Sequence, residues 1–181
     1  MNNIGKYLSD VSDAMMLLDT DEIVRVAHII RVIKEGGGTI YLFGNGGSHA
    51  TASHFANDLI KAARVKAVCV GDMTAAMLAY GNDNGWGNMF RDPLAGLLNP
   101  NDGVIGISCG GNSENVLVAL EYSIGQGNLT VGLTGLGDTT QINKIGLDAL
   151  IHVRANDIKV QEDVHLMVCH AMVRELQAEG M

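Results

Sequence analysis

The sequence predicts a doubly wound α/β domain on a five-stranded parallel sheet, and three observations predict it. Short, largely apolar runs at 39–43, 66–70, 103–107, 129–133 and 148–152 alternate with segments of helical spacing. That is the pattern of a parallel sheet covered on both faces. Three of those runs end in polar, glycine-rich turns: Gly44-Asn45-Gly46-Gly47-Ser48, Ser108-Cys109-Gly110-Gly111-Asn112-Ser113 and Thr134-Gly135-Leu136-Gly137-Asp138-Thr139-Thr140. The carboxyl ends of strands are where such sheets bind ligands. Finally, 181 residues, 47% of them hydrophobic, suffice for one buried core rather than two. A single domain over 1–181 is expected, with a helical hairpin over 1–36 and an α/β core over 37–181 that closes on a long helix.

The hairpin follows from apolar positions at helical spacing: Ile4, Leu8, Val11, Met15 and Leu18, then Ile23, Val26, Ile29, Ile30 and Ile33. Thr20-Asp21-Glu22 reads as a cap with acids in the first turn, and Gly36-Gly37-Gly38 as a stop. An amphipathic hairpin needs a partner surface. With Met15, Met16, Met73 and Met77 at helical positions, self-association is the expectation.

The stretch Tyr41 to Asp58 organises the rest. A strand enters the first glycine turn, and the turn opens a helix carrying His54 and Asp58. Glycines there let backbone N–H groups approach a ligand, and the helix N-terminus adds partial positive charge, so an anion such as phosphate suits the spot. His54 and Asp58, four apart, share a face deeper in the helix. In Gly81-Asn82-Asp83-Asn84-Gly85-Trp86 the polar residues read equally as caps or as ligand contacts. Pro93 can start a helix or kink one. The last helix begins near Ile158; on it Glu162 and Asp163 lie within roughly 80° and 20° of His170, whereas Gln161 is opposite. His165 lies away from that face and reads as a structural or contact residue. Two histidines and two or three carboxylates on two helices fit divalent-metal binding or proton transfer.

Other classes are disfavoured. With 12 Lys and Arg against 20 Asp and Glu, a formal charge of −8, there is no basic stripe for nucleic acid. No run is apolar enough to span a membrane, and MNNIGKYLSD lacks the apolar core of a signal peptide; a cytoplasmic protein is expected. Cys69, Cys109 and Cys169 are odd in number and form no CxxC pair, which reads as reduced thiols. Gly44-x-Gly46-x-x-His49 lacks the third glycine of a dinucleotide fingerprint, although Asp72 falls near the place of its ribose-binding acid. No Gly-Lys-Ser/Thr follows, so a nucleotide-hydrolase phosphate loop is excluded.

FGNGGSHATASHFAND, YGNDNGW, GISCGGNSENV, VGLTG and QEDVHLMVCH, in this order and spacing, resemble the sugar isomerase (SIS) domain family, and within it the phosphoheptose isomerases. The resemblance spans nearly the whole chain and implies a flavodoxin-like sheet. It implies an aldose-ketose isomerase acting on a sugar phosphate, foremost sedoheptulose 7-phosphate, through an enediol. By resemblance, Asn45, Gly46, Gly47 and Ser48 hold substrate at the first turn. Ser108, Cys109, Gly110 and Ser113 match the phosphate turn, and Asn82 and Asp83 would contact the sugar. His54, Asp58, Glu162 and His170 match the metal and catalytic positions, with Asp58 and His170 in the catalytic roles and Asp58 and Glu162 also touching substrate. Zinc and a homotetramer with sites completed by neighbouring subunits are implied as well.

This chain departs from the family pattern in four places. Asp58 stands for a glutamate, Glu162 for a glutamine, and Cys109 and Gly110 for hydroxyl residues. Two other readings compete with an isomerase. One is a non-catalytic relative that binds a protein, as replication-initiator-binding members do; such relatives lack the last histidine, here His170. The other is a sensor that binds a sugar phosphate without turning it over.

Overall fold

The computed structural model describes residues 2–135 and 137–178; Leu136 of the third glycine turn and the chain ends lie outside the described residues. Helices α1 (Asn3–Met16) and α2 (Thr20–Glu35) form the hairpin. Asn2 caps α1 by accepting from the Gly5 N–H, and Asp19 caps α2 by accepting from the N–H groups of Asp21 and Glu22. The cap of α2 is therefore one residue earlier than the Thr20 cluster suggested, because a carboxylate in extended backbone reaches two orphan donors at once.

The core then alternates: β1 (Thr39–Gly44), α3 (Gly46–Lys61), β2 (Lys66–Cys69), α4 (Thr74–Asp83), α5 (Arg91–Leu97), β3 (Gly103–Ser108), α6 (Glu114–Gly125), β4 (Leu129–Thr134), β5 (Ala149–His152) and α7 (Ile158–Ala178). All strand pairs are parallel, in the order β2-β1-β3-β4-β5. The five strands and their parallel pairing match the expectation to within about a residue at each end. Pro93 falls inside the first turn of α5, where its missing N–H costs nothing.

Alternation along the strands sends side chains into two separate cores. Ile40, Leu42, Ile105, Ile107, Val131 and Leu133 meet α1, α2, α3 and α7 on one face. Tyr41, Phe43 and Val104 meet α4, α5 and α6 on the other. Full burial of each such aliphatic or aromatic side chain contributes about 1.5–3 kcal/mol. The first core fixes the site, because it presses α3 and α7 side by side with their ends facing the same way: Glu162 near the start of α7 meets Gly47 near the start of α3, and His170 further on meets His54.

The strand order reverses direction between β1 and β3, so the crevice beyond their carboxyl ends is the binding place that the topology dictates. Asn45 after β1 and Asn115 in α6 close it with a reciprocal amide pair at 2.9 Å in each direction. Among the described residues no helix is long and apolar enough to cross a membrane.

Candidate active site

Two glycine turns converge at the crevice. Asn45 occupies the N-cap position of α3, yet its side chain makes no capping bond, because its amide is engaged with Asn115. Ser113 occupies the same position of α6 and also makes no cap, accepting instead from the Ser108 hydroxyl at 3.0 Å. Two helix N-termini thus face one place with neither N-cap side chain bonded to their first N–H groups, an arrangement that binds anions. Ser48 and Cys109 lie 3.7 Å apart across the crevice. Burial pushes the Cys109 thiol up, as does the nearby charge of Glu162, so it stays neutral. Gly110 is half-buried beside it.

Gly47 has a steric reason to lack a side chain. A Cβ there would fall 2.3–2.5 Å from the carboxylate of Glu162. Glu162 therefore stands at the N-terminus of α3, where the partial positive charge of the helix favours a carboxylate.

About 10 Å further along α3, seven residues at the helical rise, lies the second half of the site. The Nε2 atoms of His54 and His170 face each other at 3.1 Å, and Asp58 Oδ2 is 3.3 Å from the first and 3.6 Å from the second. All three groups are partly open to solvent. Atoms with lone pairs converging within 4.8 Å from two imidazoles and a carboxylate make a set that could hold a metal ion, and the N, N, O donor chemistry suits zinc. The structure does not bring Glu162 into that group. It is eight residues before His170, about 12 Å along α7. Asp163, nearly eclipsed with His170 on the helical wheel, accepts a hydrogen bond from Tyr7 of α1 instead. That bond pushes the Tyr7 hydroxyl up to about 12. Asn82 and Asp83 are exposed in the last turn of α4, not in a loop, and Asn82 donates to Asp83 at 2.7 Å.

His165 is structural, as its position suggested. It is fully buried, donates from Nε2 to the Thr134 carbonyl at 3.2 Å and places Nδ1 3.8 Å from the Cys109 thiol. Burial holds its pKa down at about 4. Because the unfolded chain takes up this proton near pH 6.5 and the folded chain only near 4, stability is full above pH 6.5 and falls as pH drops through that window, by about 3 kcal/mol. Thermal melts between pH 7 and 4.5 are expected to show this slope, reduced in a His165→Gln chain that can still donate to Thr134.

A third group was not foreseen from the sequence: His49 with Cys69 and Asp72. Asp72, considered for a ribose contact, accepts from the Ser53 hydroxyl at 2.7 Å and lies 3.3 Å from His49 Nε2. The signal was present in two places: a histidine directly after the glycine turn, and Cys-Val-Gly-Asp at the end of β2.

The sequence model of the SIS domain matches residues 5–135. The chain belongs to the SIS-domain family. A phosphoheptose isomerase of Trichlorobacter lovleyi is 32% identical over 177 residues, covering 93% of this chain and 89% of the relative. That of Aquifex aeolicus is 37% identical over 140 residues, 75% and 73% of the two chains. The solved structure of a phosphoheptose isomerase from Neisseria gonorrhoeae superposes with a TM-score of 0.88 at 27% identity, covering 96% of this chain and 94% of that one.

Proposed function

We propose that this SIS-domain protein is a sugar-phosphate isomerase that interconverts sedoheptulose 7-phosphate and a heptose 7-phosphate. The observation that carries this reading is the length of α3 between its two functional ends. A phosphate seated between the N-termini of α3 and α6, against Gly46, Ser48, Ser108 and Ser113 and beside the Glu162 carboxylate at Gly47, leaves about 10 Å to the His54, Asp58 and His170 group, the order of an extended sugar with its carbonyl at the far end. The relatives named phosphoheptose isomerase support the same substrate class.

The chemistry follows from the residues. Asp58 takes a proton from C1 of the ketose while His170 gives one to the C2 oxygen, producing the enediol. Asp58 then returns its proton to C2 and His170 takes the proton of the C1 hydroxyl, which leaves the aldehyde. A carboxylate and an imidazole cover both transfers near neutral pH. The phosphate grip far from the reacting carbons holds them in place, which is where much of the rate enhancement arises. Cys109 and Gly110 offer fewer hydroxyl donors than the family turn, so backbone N–H groups and the three serines carry the phosphate.

The same His54, Asp58 and His170 would alternatively hold zinc, which when bound would polarise the carbonyl and stabilise negative charge on the enediol oxygens in place of the proton from His170. Glu162, at Gly47, faces the substrate rather than completing this set. Asn82 and Asp83, exposed at the end of α4, are the residues that the family resemblance would put against the sugar. A homotetramer is part of the proposal: Ile4, Leu8 and Met15 form an exposed apolar stripe on α1, a surface suited to another copy. The three free, buried cysteines fit a reducing, cytoplasmic setting.

The deciding experiment is conversion of sedoheptulose 7-phosphate by the chelated protein with and without added zinc. Turnover is expected, and its absence in both conditions sinks the proposal in favour of a binding protein. A Gly47→Ala chain is expected to raise KM several-fold with a smaller effect on kcat, because the new methyl displaces the Glu162 carboxylate at the phosphate end.

A further inference from the structure

We propose that His49, Cys69 and Asp72 form a second metal site, separate from the His54 group, that takes a zinc-class divalent ion and fastens the substrate turn to the sheet. The three ligand atoms come from different elements: the first turn of α3, the last residue of β2 and the short 3₁₀ turn that follows it. They lie within 4.8 Å of one another. His49 is the pivot: its ring stands between the other two, Nδ1 3.6 Å from Cys69 Sγ and Nε2 3.3 Å from Asp72 Oδ1, and one of the two nitrogens would serve as the ligand. A Cβ on Gly71 would fall 2.5 Å from the His49 ring, so the bare backbone at that position makes the room in which the imidazole sits.

The donor set decides the ligand class. A thiol, an imidazole and a carboxylate together select borderline-soft transition ions over magnesium or calcium, which prefer oxygen alone. The second oxygen of Asp72 is held at 2.7 Å by Ser53, one turn along α3, the kind of outer contact that orients a ligating carboxylate. Cys69 is buried while His49 and Asp72 reach solvent, so an ion enters from outside and keeps water on its open side. The thiol releases its proton to solvent as the ion arrives. A nucleophilic Cys-His-Asp role fits less well, because Cys69 is only 4% exposed, too little for an organic substrate to approach.

The site is independent of the first. On α3, His49 and His54 are five residues apart, roughly 140° around the helix, so they face different sides. His49 directly follows Ser48, so an ion here pins the first turn of α3 to the end of β2 and stiffens the substrate turn without touching the reacting carbons.

The test uses cobalt(II) as the probe on the full-length, chelated protein. The unmodified chain is expected to bind two equivalents, one of which carries a thiolate-to-cobalt charge-transfer absorption. In a His54→Ala/His170→Ala chain that band persists at one equivalent. Cys69→Ser and His49→Ala, the latter altering a half-exposed side chain that the core does not need, each abolish it, while Cys109→Ser leaves it. A single equivalent with no thiolate band in the unmodified chain overturns the proposal, as does a band that survives Cys69→Ser or His49→Ala at stoichiometric metal.

Discussion

Replacing His170 with alanine is expected to lower turnover of the ketose phosphate by at least about 10²-fold, within the range contributed by a positioned proton donor. KM should change little, since the imidazole stands at the carbonyl end, about two helical turns from the phosphate grip. The fold should survive. The His170 side chain is 47% exposed and its ring meets only His54 and Asp58 among the described polar contacts, so truncation opens no sealed cavity. Asp58→Ala is expected to give a loss of the same order, whereas Asp58→Glu, which adds a methylene, should retain most activity. Steady-state kinetics alongside thermal unfolding separate the outcomes. Rates like those of the unmodified protein in His170→Ala remove the imidazole from the mechanism, and a loss confined to KM reassigns it to binding.

The largest effect on stability is expected at Gly38, between α2 and β1. A Cβ there would fall 2.0 Å from the carbonyl oxygen of Asn101 and 2.7 Å from its carbon, and backbone cannot swing aside as a side-chain tip can. Nor can the Asn101 segment retreat, because the neighbouring Asp102 is buried and accepts from the N–H groups of both Thr39 and Asn99 at 2.7 and 2.8 Å. Gly38→Ala should therefore cost about 3 kcal/mol, the upper end for overpacking, and lower the melting temperature by roughly 10 °C. Gly81→Ala is the matched control. It lies within α4, where a new Cβ meets nothing within 4 Å, so better helix propensity should leave stability equal or slightly higher. Equal melting temperatures in the two variants would contradict the steric account of Gly38.

Local patterning made the sheet legible. Each strand is a short apolar run bounded by glycine or polar residues, and the two turns at the reversal of strand order could be read because glycine and serine cluster there and nowhere else in the same form. The pairing of His54 with Asp58 was legible from spacing within one helix. What spacing could not supply is which neighbour a helix faces. Asp163 has the better angle to His170, yet α1 supplies Tyr7 on that side and the carboxylate goes there. Glu162 shares the general face, but two turns of rise carry it to Gly47, away from the histidine pair. The group of His49, Cys69 and Asp72 depends on the parallel pairing of β1 and β2 bringing the end of β2 beside the start of α3, a long-range relation with no periodic signature. Asn82 and Asp83 were read as caps or ligand contacts within the stretch from Gly81 to Trp86. Gly81 is instead tolerated within α4, and the break comes at Gly85, where φ is 84°.

The codirectional pairing of α3 with α7 means that the distance between grip and chemistry is graduated in whole windings of a helix. Lengthening α3 by a single residue between Gly47 and His54 would swing the imidazole about 100° off its partner, so a substrate one carbon longer or shorter cannot be matched by a small insertion. Under the proposed function, selectivity for chain length is in this sense geared: it would change in steps of about 5 Å, or through the glycine turns, which alone can be adjusted continuously.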